Sequence, residues 1–323
     1  MLRVAFAGTF AARLEEPVRR HLARTCEIIV ADESGIIAQL ADLDVLVTMA
    51  LTGEMGQAAT RLRLVQVPGA GLDRIDRSAL PDGARLANVY GHETGIAEYV
   101  IGAMLALTRN FSQLDTALRR GEWQSQWSVG VAPPPVWPEL AGKTIGILGY
   151  GRIGQAVARR ARAFDMSVCA IRRDVRRSTN DELAFVGGPG AIGEVLKRSD
   201  YALISLPATT ETIESIGRER LGLMKPTAFL INVARAEILD EDALYEALAQ
   251  RSIAGAALDV WYCYPREPGL SAPATRPFHE LPNVLMTPHV AGWTDGMLAA
   301  RAKLIAENIR RVACGVTPLN LIA

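Results

Sequence analysis

Between residues 143 and 289 the chain repeats one device six times: a short, unbroken apolar run followed by residues with helical spacing. The runs are KTIGILG (143–149), SVCAIR (167–172), YALISLP (201–207), AFLINVA (228–234), IAGAALDV (253–260) and NVLMTPH (283–289). Each is far shorter than the roughly 20 apolar residues of a membrane span. Each also lacks the in–out alternation of a strand with one wet face. Strands buried on both sides read this way, and they occur where crossover helices cover a parallel sheet. An earlier series repeats the pattern: LRVAFAG (2–8), CEIIVA (26–31), DVLVTM (44–49), LRLVQVPGAG (62–71) and ARLANVY (84–90), spaced by amphipathic stretches such as 38–43. Two doubly wound α/β domains accommodate both series, and a length of 323 residues allows two domains.

Between the two series, IAEYVIGAMLALTRNF opens a helical pattern expected over 96–120, with Gly121 as its C-terminal stop. The proline-rich segment VAPPPVWPEL (131–140) lacks the backbone donors of regular structure and is expected to be an extended strap between domains. The tail WTDGMLAARAKLIAENIRRVACG predicts one more amphipathic helix, closed by Gly315. The second domain is therefore expected to be inserted into the first, with boundaries at 1–98, 99–290 and 291–323.

Thirty-five basic residues balance 35 acidic ones, so the chain as a whole carries no electrostatic footprint for nucleic acid or a membrane surface. The short apolar run at the N-terminus soon meets Glu15 and Glu16, which suits a first strand and turn better than a signal peptide. Cys26, Cys169, Cys263 and Cys314 are scattered, without metal-ligand spacing, and no metal is expected. Apart from Cys263 they sit in apolar or strand-like contexts that suit small buried thiols. A reducing, cytoplasmic location fits. His21 and His279 carry no comparable chemical signal.

Chemistry first appears in TIGILGYGRIGQAVARRARAF, where Gly149-x-Gly151-x-x-Gly154 follows a strand and opens a helix. In such a loop the first glycine makes the tight turn, the second admits a pyrophosphate, and the third lets helix and strand pack closely. The anion then rests on free N–H groups at the helix start. About twenty residues on, where an acidic residue would bind the adenosine ribose, the chain has Arg172 and Arg173 in IRRDVRRS. Guanidinium groups suit a 2′-phosphate and favour NADP(H). Asp174 keeps NAD(H) open.

Several ordered segments then resemble the D-isomer-specific 2-hydroxyacid dehydrogenase family over essentially the whole chain. They are VPGAGLDRID (67–76), ELAGKTIGILGYGRIG (139–154), SLPATTET (205–212), NVARAEILDEDAL (232–244), AALDV (256–260) and NVLMTPHVAG (283–292). The resemblance implies a Rossmann cofactor domain inserted into a flavodoxin-like substrate domain, usually as a homodimer joined through the cofactor domain and its long helix. It assigns the catalytic arginine to Arg235 and the proton-donating histidine to His289. A planar guanidinium can grip a 2-oxo acid's carboxylate and polarise its ketone, and imidazole titrates where an alkoxide must be protonated. Ala236 stands where the family usually has glycine. The resemblance further implies that Gly69, Ala70 and Gly71 hold the substrate carboxylate. Tyr150, Arg152, Ile153, Pro207, Thr212, Val233, Ala234, Asp259 and Gly292 would join the glycine loop along the cofactor, with Asp259 near its carboxamide. His92 is a candidate either to grip substrate or to support a hinge.

The family places a glutamate, followed by proline, five residues beyond the residue matching Asp259, and this glutamate holds the histidine. Here the ungapped match is Tyr264-Pro265, whereas Glu267-Pro268 requires three inserted residues. The ungapped match favours Tyr264 and leaves Glu267 solvated, with a bulged loop bringing Glu267 inward as the alternative. The function expected is hydride transfer between NADP(H) or NAD(H) and a small anionic 2-oxo acid or D-2-hydroxy acid. Alternatives are oxidation of a phosphonate or phosphorus oxyacid on the same fold, and a non-catalytic dinucleotide-sensing, corepressor-like protein.

Overall fold

The expected strands of the first series are all present. In a computed structural model that describes every residue except 23–25, 131, 133–135, 177–181, 266, 268 and 323, they are β1 (Arg3–Ala7), β2 (Glu27–Ala31), β3 (Val45–Thr48), β4 (Leu64–Gln66) and β5 (Arg85–Ala87). They pair in parallel in the order β2-β1-β3-β4-β5, the 2-1-3-4-5 arrangement of flavodoxin-like sheets. Helices α1 (Thr9–Arg19), α2 (Gly53–Ala58) and the C-terminal α9 (Asp295–Ala313) belong to the same unit, which comprises Met1–His92 and Trp293–Ala323. Alternate residues of β1 and β3 serve opposite faces. Val4, Phe6, Val45 and Val47 pack with Leu14, Val18, Ile305 and Ile309, whereas Ala5, Ala7 and Leu46 face Leu40 and Met55. The tail thus returns to the first unit as expected. A buried amide pins it there: Asn308 Nδ2 donates to Gln66 Oε1 at 2.6 Å, and Asn308 Oδ1 accepts the Leu319 N–H at 2.7 Å.

The second unit spans Glu93–Gly292. Its strands are β6 (Thr144–Leu148), β7 (Ser167–Ile171), β8 (Phe185–Gly187), β9 (Tyr201–Ile204), β10 (Phe229–Asn232), β11 (Gly255–Leu258) and β12 (Val284–Met286). All pair in parallel, in the order β12-β11-β10-β9-β6-β7-β8. Read from β8, this is the 3-2-1-4-5-6 order of dinucleotide-binding folds, extended by β12. Its helices are α3 (Glu93–Arg109), α4 (Phe111–Arg119), α5 (Arg152–Arg162), α6 (Ile192–Arg198), α7 (Arg218–Leu221) and α8 (Glu241–Ala249). On one face Ile145, Ile147, Leu203 and Ile231 meet Val100, Met104 and Val157; on the other, Leu148, Ile204, Leu230 and Leu258 meet Leu244 and Leu248.

Four expectations need correction. The unit boundaries fall at 92/93 and 292/293 instead of 98/99 and 290/291. The helix expected over 96–120 starts at Glu93 and breaks into α3 and α4 at Asn110, whose φ of 52° is left-handed and ends α3. Gly121 does close α4, with φ 79° and its N–H on the Leu118 carbonyl. The segment 131–140 lies inside the second unit's span and not between units, with 131 and 133–135 outside the described residues. Of the three cysteines expected to be buried, Cys169 is, Cys26 is half-buried and Cys314 is exposed beyond α9. The sequence reading also passed over β8, a three-residue edge strand without an apolar run to announce it. Among the described residues, no helix is long and apolar enough to cross a membrane.

Candidate active site

The turn from β6 into α5 uses its three glycines for three different reasons. Gly149 has φ 106°, and a Cβ there would lie 2.6 Å from the Ser205 carbonyl oxygen. Gly154 meets the Gly149 carbonyl oxygen at 2.7 Å and Ile147 Cγ2 at 2.9 Å, so any side chain would push α5 off the strand. Gly151 differs. Among the described residues, no atom beyond its immediate chain neighbours lies within 4 Å of where its Cβ would stand, and its φ is an ordinary −91°. The protein's own packing therefore gives no reason for glycine at the middle position. Gly151 is also the N-cap of α5, which has no side-chain cap and no acidic residue in its first turn. Open space beside uncapped N–H groups fits an anion such as a dinucleotide's pyrophosphate. Tyr150 is buried, with its N–H on the Ile171 carbonyl at 2.8 Å. Arg152 and Ile153 begin the helix, Arg152 exposed and Ile153 half-buried.

Arg172 and Arg173 follow directly on β7. The Arg172 backbone N–H bonds the Gly187 carbonyl of β8 at 3.0 Å, and its Nη2 donates to the Val175 carbonyl at 3.1 Å. Its Nε is buried without a hydrogen-bond partner among the described residues. Arg173 is exposed. The Glu211 carboxyl is held below its ordinary range chiefly by the Thr209 hydroxyl, with the Arg173 charge a smaller contribution. Beyond β9, Thr212 closes its loop by donating to the Pro207 carbonyl at 2.6 Å and accepting the Thr209 N–H at 2.8 Å.

Two further strand ends carry Arg235 and His289. At the end of β10, Asn232 Oδ1 accepts the Ala234 N–H at 3.0 Å and its Nδ2 donates to the Arg235 carbonyl at 2.9 Å. That pair of bonds shapes the turn presenting Arg235, which is half-buried and donates from Nη1 to the Ala234 carbonyl at 2.7 Å. Val233 and Ala234 are buried below it. Ala236 has no positive φ, so this turn does not need the family's usual glycine.

At the end of β11, Asp259 is only 1 % exposed. Its Oδ1 accepts the Thr287 hydroxyl at 2.7 Å and the Val290 N–H at 2.9 Å, and Oδ2 accepts the Ala291 N–H at 2.8 Å. The carboxylate thus holds the chain just before and just after His289. His289 itself is exposed and has φ 57°. Its Nδ1 lies 2.7 Å from the Tyr264 hydroxyl, with ring centroids 5.7 Å apart. Tyr264 is 48 % exposed and also receives the Trp261 backbone N–H at 3.4 Å. Burial of its inner half is the largest effect on the phenol and pushes its pKa up; the Trp261 N–H and the Arg235 charge oppose this. Glu267 is exposed. The ungapped residue is therefore the one that touches the histidine.

The first unit carries the remaining expected residues at the carboxyl ends of its strands. Gly69 and Ala70 are held by the Val89 N–H (3.2 Å) and by Asn88 Nδ2 (3.1 Å) on their carbonyls. His92 Nδ1 lies 3.1 Å from Nη2 of Arg301, a buried residue whose guanidinium also faces the Phe10 ring. Arginine can only donate, so Nδ1 accepts and His92 carries its proton on Nε2. Arg301, Tyr99 and Thr287 escaped the sequence reading. Their contacts span 209 and 188 residues of chain, and no local pattern marks such pairs.

The chain and its fold have counterparts among known proteins. A family model described as D-isomer specific 2-hydroxyacid dehydrogenase, NAD binding domain, matches residues 101–291. The chain is 38 % identical over 295 residues to a glyoxylate reductase of Pyrococcus furiosus, covering 89 % of this chain and 84 % of the relative. It is 35 % identical over 321 residues to a D-3-phosphoglycerate dehydrogenase of Methanocaldococcus jannaschii, covering 96 % of this chain and 58 % of that longer protein. Among solved structures, an acyclic imino acid reductase in complex with NADPH and D-arginine is similar over the full length of both chains, with a TM-score of 0.81 and 27 % identity.

Proposed function

The chain belongs to the D-isomer specific 2-hydroxyacid dehydrogenase family, and we propose that it reduces a small 2-oxo acid to the D-2-hydroxy acid with NADPH, NADH being the weaker donor. The carrying observation is one strand-end constellation in the second unit: His289 with Nδ1 on Tyr264, whose phenol feels the charge of Arg235. Oxidation of a phosphonate or phosphorus oxyacid, and a non-catalytic sensor, find no support in the names of the two curated relatives, a glyoxylate reductase and a phosphoglycerate dehydrogenase.

Each residue has a defined task. The Gly149–Gly154 turn and the start of α5 hold the pyrophosphate, and Arg172 and Arg173 hold a 2′-phosphate. Pro207, Thr212, Val233, Ala234, Asp259 and Gly292 lie along the cofactor, which when bound supplies the hydride. Arg235 grips the substrate carboxylate and polarises the ketone, and Gly69, Ala70, Gly71 and His92 supply further donors to the acid. His289 gives a proton from Nε2 to the alkoxide oxygen as hydride arrives at carbon. Tyr264 steadies Nδ1 in both protonation states, donating to neutral imidazole and accepting from imidazolium.

The second unit thus acts as cofactor domain and the first as substrate domain. The chain works as a homodimer in the cytoplasm, a reading supported by its exposed apolar residues on and after α4 and by cysteines that form no disulfide among the described residues. A panel of 2-oxo acids including glyoxylate, hydroxypyruvate and phenylpyruvate, assayed with NADPH and NADH separately, tests the assignment. Turnover giving the D product is expected, with NADPH ahead by about ten- to a hundredfold in affinity. Cofactor binding without turnover of any member would return the sensor reading, and equal use of NADH would remove the role given to Arg172 and Arg173.

A further inference from the structure

His289 sits in the left-handed region, uncommon for a residue with a side chain, at φ 57°. Such a conformation persists only where the surroundings over-determine it. Asp259 does part of this by accepting the N–H groups of Val290 and Ala291. The Thr287 carbonyl does another part, accepting the Trp261 indole N–H at 2.8 Å and the N–H of His289 itself at 3.1 Å. The Thr287 hydroxyl joins the two by donating to Asp259 Oδ1 at 2.7 Å. That hydroxyl has then used its only hydrogen and can only accept from a further partner.

Tyr99 fills this gap from α3. Its phenol oxygen lies 2.7 Å from Thr287 Oγ1. With the threonine hydrogen committed to the carboxylate, the phenol is the donor. Burial pushes the Tyr99 pKa up to about 12, so it remains a donor throughout the neutral range. Donation runs in one direction, from Tyr99 to Thr287 to Asp259, and it ends on the carboxylate that brackets the histidine.

We propose that Tyr99, acting through Thr287, is a positioning residue for His289. It fixes the rotor of the one hydroxyl that links Asp259 to the residue two before the histidine, and so holds the left-handed turn in its working form. Tyr99 meets neither substrate nor cofactor in this role. Its ring packs within the second unit's core, whereas its oxygen serves the site. The inference rests on the assignment of His289 as proton donor.

The test compares Tyr99→Phe, Thr287→Val, Thr287→Ser and His289→Gln in the full-length enzyme, with activity expressed per folded molecule from thermal unfolding curves. Tyr99→Phe and Thr287→Val are expected to lower kcat for 2-oxo acid reduction by about ten- to a hundredfold, the scale of a displaced reacting group. KM for the reduced cofactor should change far less than kcat, because neither side chain is assigned a dinucleotide contact and the proposed phosphate contacts lie at the turn after β6 and beyond β7. Thr287→Ser should restore kcat, since it returns the hydroxyl without the methyl. Unchanged kcat per folded molecule in Tyr99→Phe would overturn the proposal, as would a Thr287→Ser enzyme no better than Thr287→Val. A His289→Gln enzyme that kept its activity would remove the assignment beneath it. Inactive His289→Gln beside a fully active Tyr99→Phe would remove the positioning role alone.

Discussion

Tyr264 stands at the position where the resemblance leads one to expect glutamate, and the substitution changes what the histidine's partner can do. A carboxylate favours imidazolium over imidazole, whereas a phenol whose pKa burial has raised stays neutral and favours neither strongly. Installing the charge by Tyr264→Glu should stabilise the imidazolium. The limb of the reduction profile that reports His289 should then move to higher pH, by about a unit or more for a close pair. Tyr264→Phe deletes the 2.7 Å contact with Nδ1 and should lower kcat. Glu267→Gln should leave the profile where it was, since Glu267 is exposed. A large acidic shift in Glu267→Gln with normal Tyr264→Phe would reverse the assignment. The ambiguity between these two residues was visible in the sequence because a proline follows each of them. Resolving it needed the path of the loop after β11, which no spacing rule fixes.

At the scale of elements, the turn between β6 and α5 sets two glycines that packing requires around one that packing does not, within six residues. Gly154→Ala would press a methyl into the Gly149 carbonyl and Ile147, at 2.7 and 2.9 Å. Overpacking of that kind costs about 1–3 kcal/mol of stability. Gly151→Ala adds a methyl to open space, so its stability cost should be that of the N-cap exchange alone, at most about 1 kcal/mol. That methyl should nonetheless weaken dinucleotide binding severalfold or more, because the backbone's approach to the pyrophosphate is what it obstructs. Thermal unfolding and cofactor titration of the two variants should give opposite patterns. Equal loss of affinity without loss of stability in both would mean that Gly154 also lines the ligand. Strands proved the most legible elements, since continuous apolar runs follow from burial on both faces. Helix ends were less so: the pattern running through α3 and α4 hides the break at Asn110, because apolar spacing resumes after a single left-handed residue.

For the whole molecule, the two-domain plan was legible because each parallel series needs its own covered sheet, and the return of the tail followed from an amphipathic helix with no sheet of its own nearby. The unit boundaries were not, because α3 begins one residue after the first unit ends and its spacing runs through without a breaker. Sequence also could not separate a strap between domains from an arm within one. In the second unit, Phe111 and Leu118 on α4 are 53 % and 52 % exposed, and Trp123, Trp127 and Val129 beyond it are 63 %, 79 % and 96 % exposed. Large side chains left open in one stretch of sequence are what a protein interface covers, with aromatic anchors carrying most of the binding energy. A second copy of the chain is the occupant proposed for this surface. Placing like charges on it by Phe111→Glu and Leu118→Glu should convert the dimer to monomer, read by sedimentation or light scattering. Thermal unfolding of the resulting monomer should fall only as far as mass action removes its partner. An unmodified enzyme that is monomeric at micromolar concentration would remove the proposed dimer, and a doubly substituted one that remains dimeric would move the interface off α4.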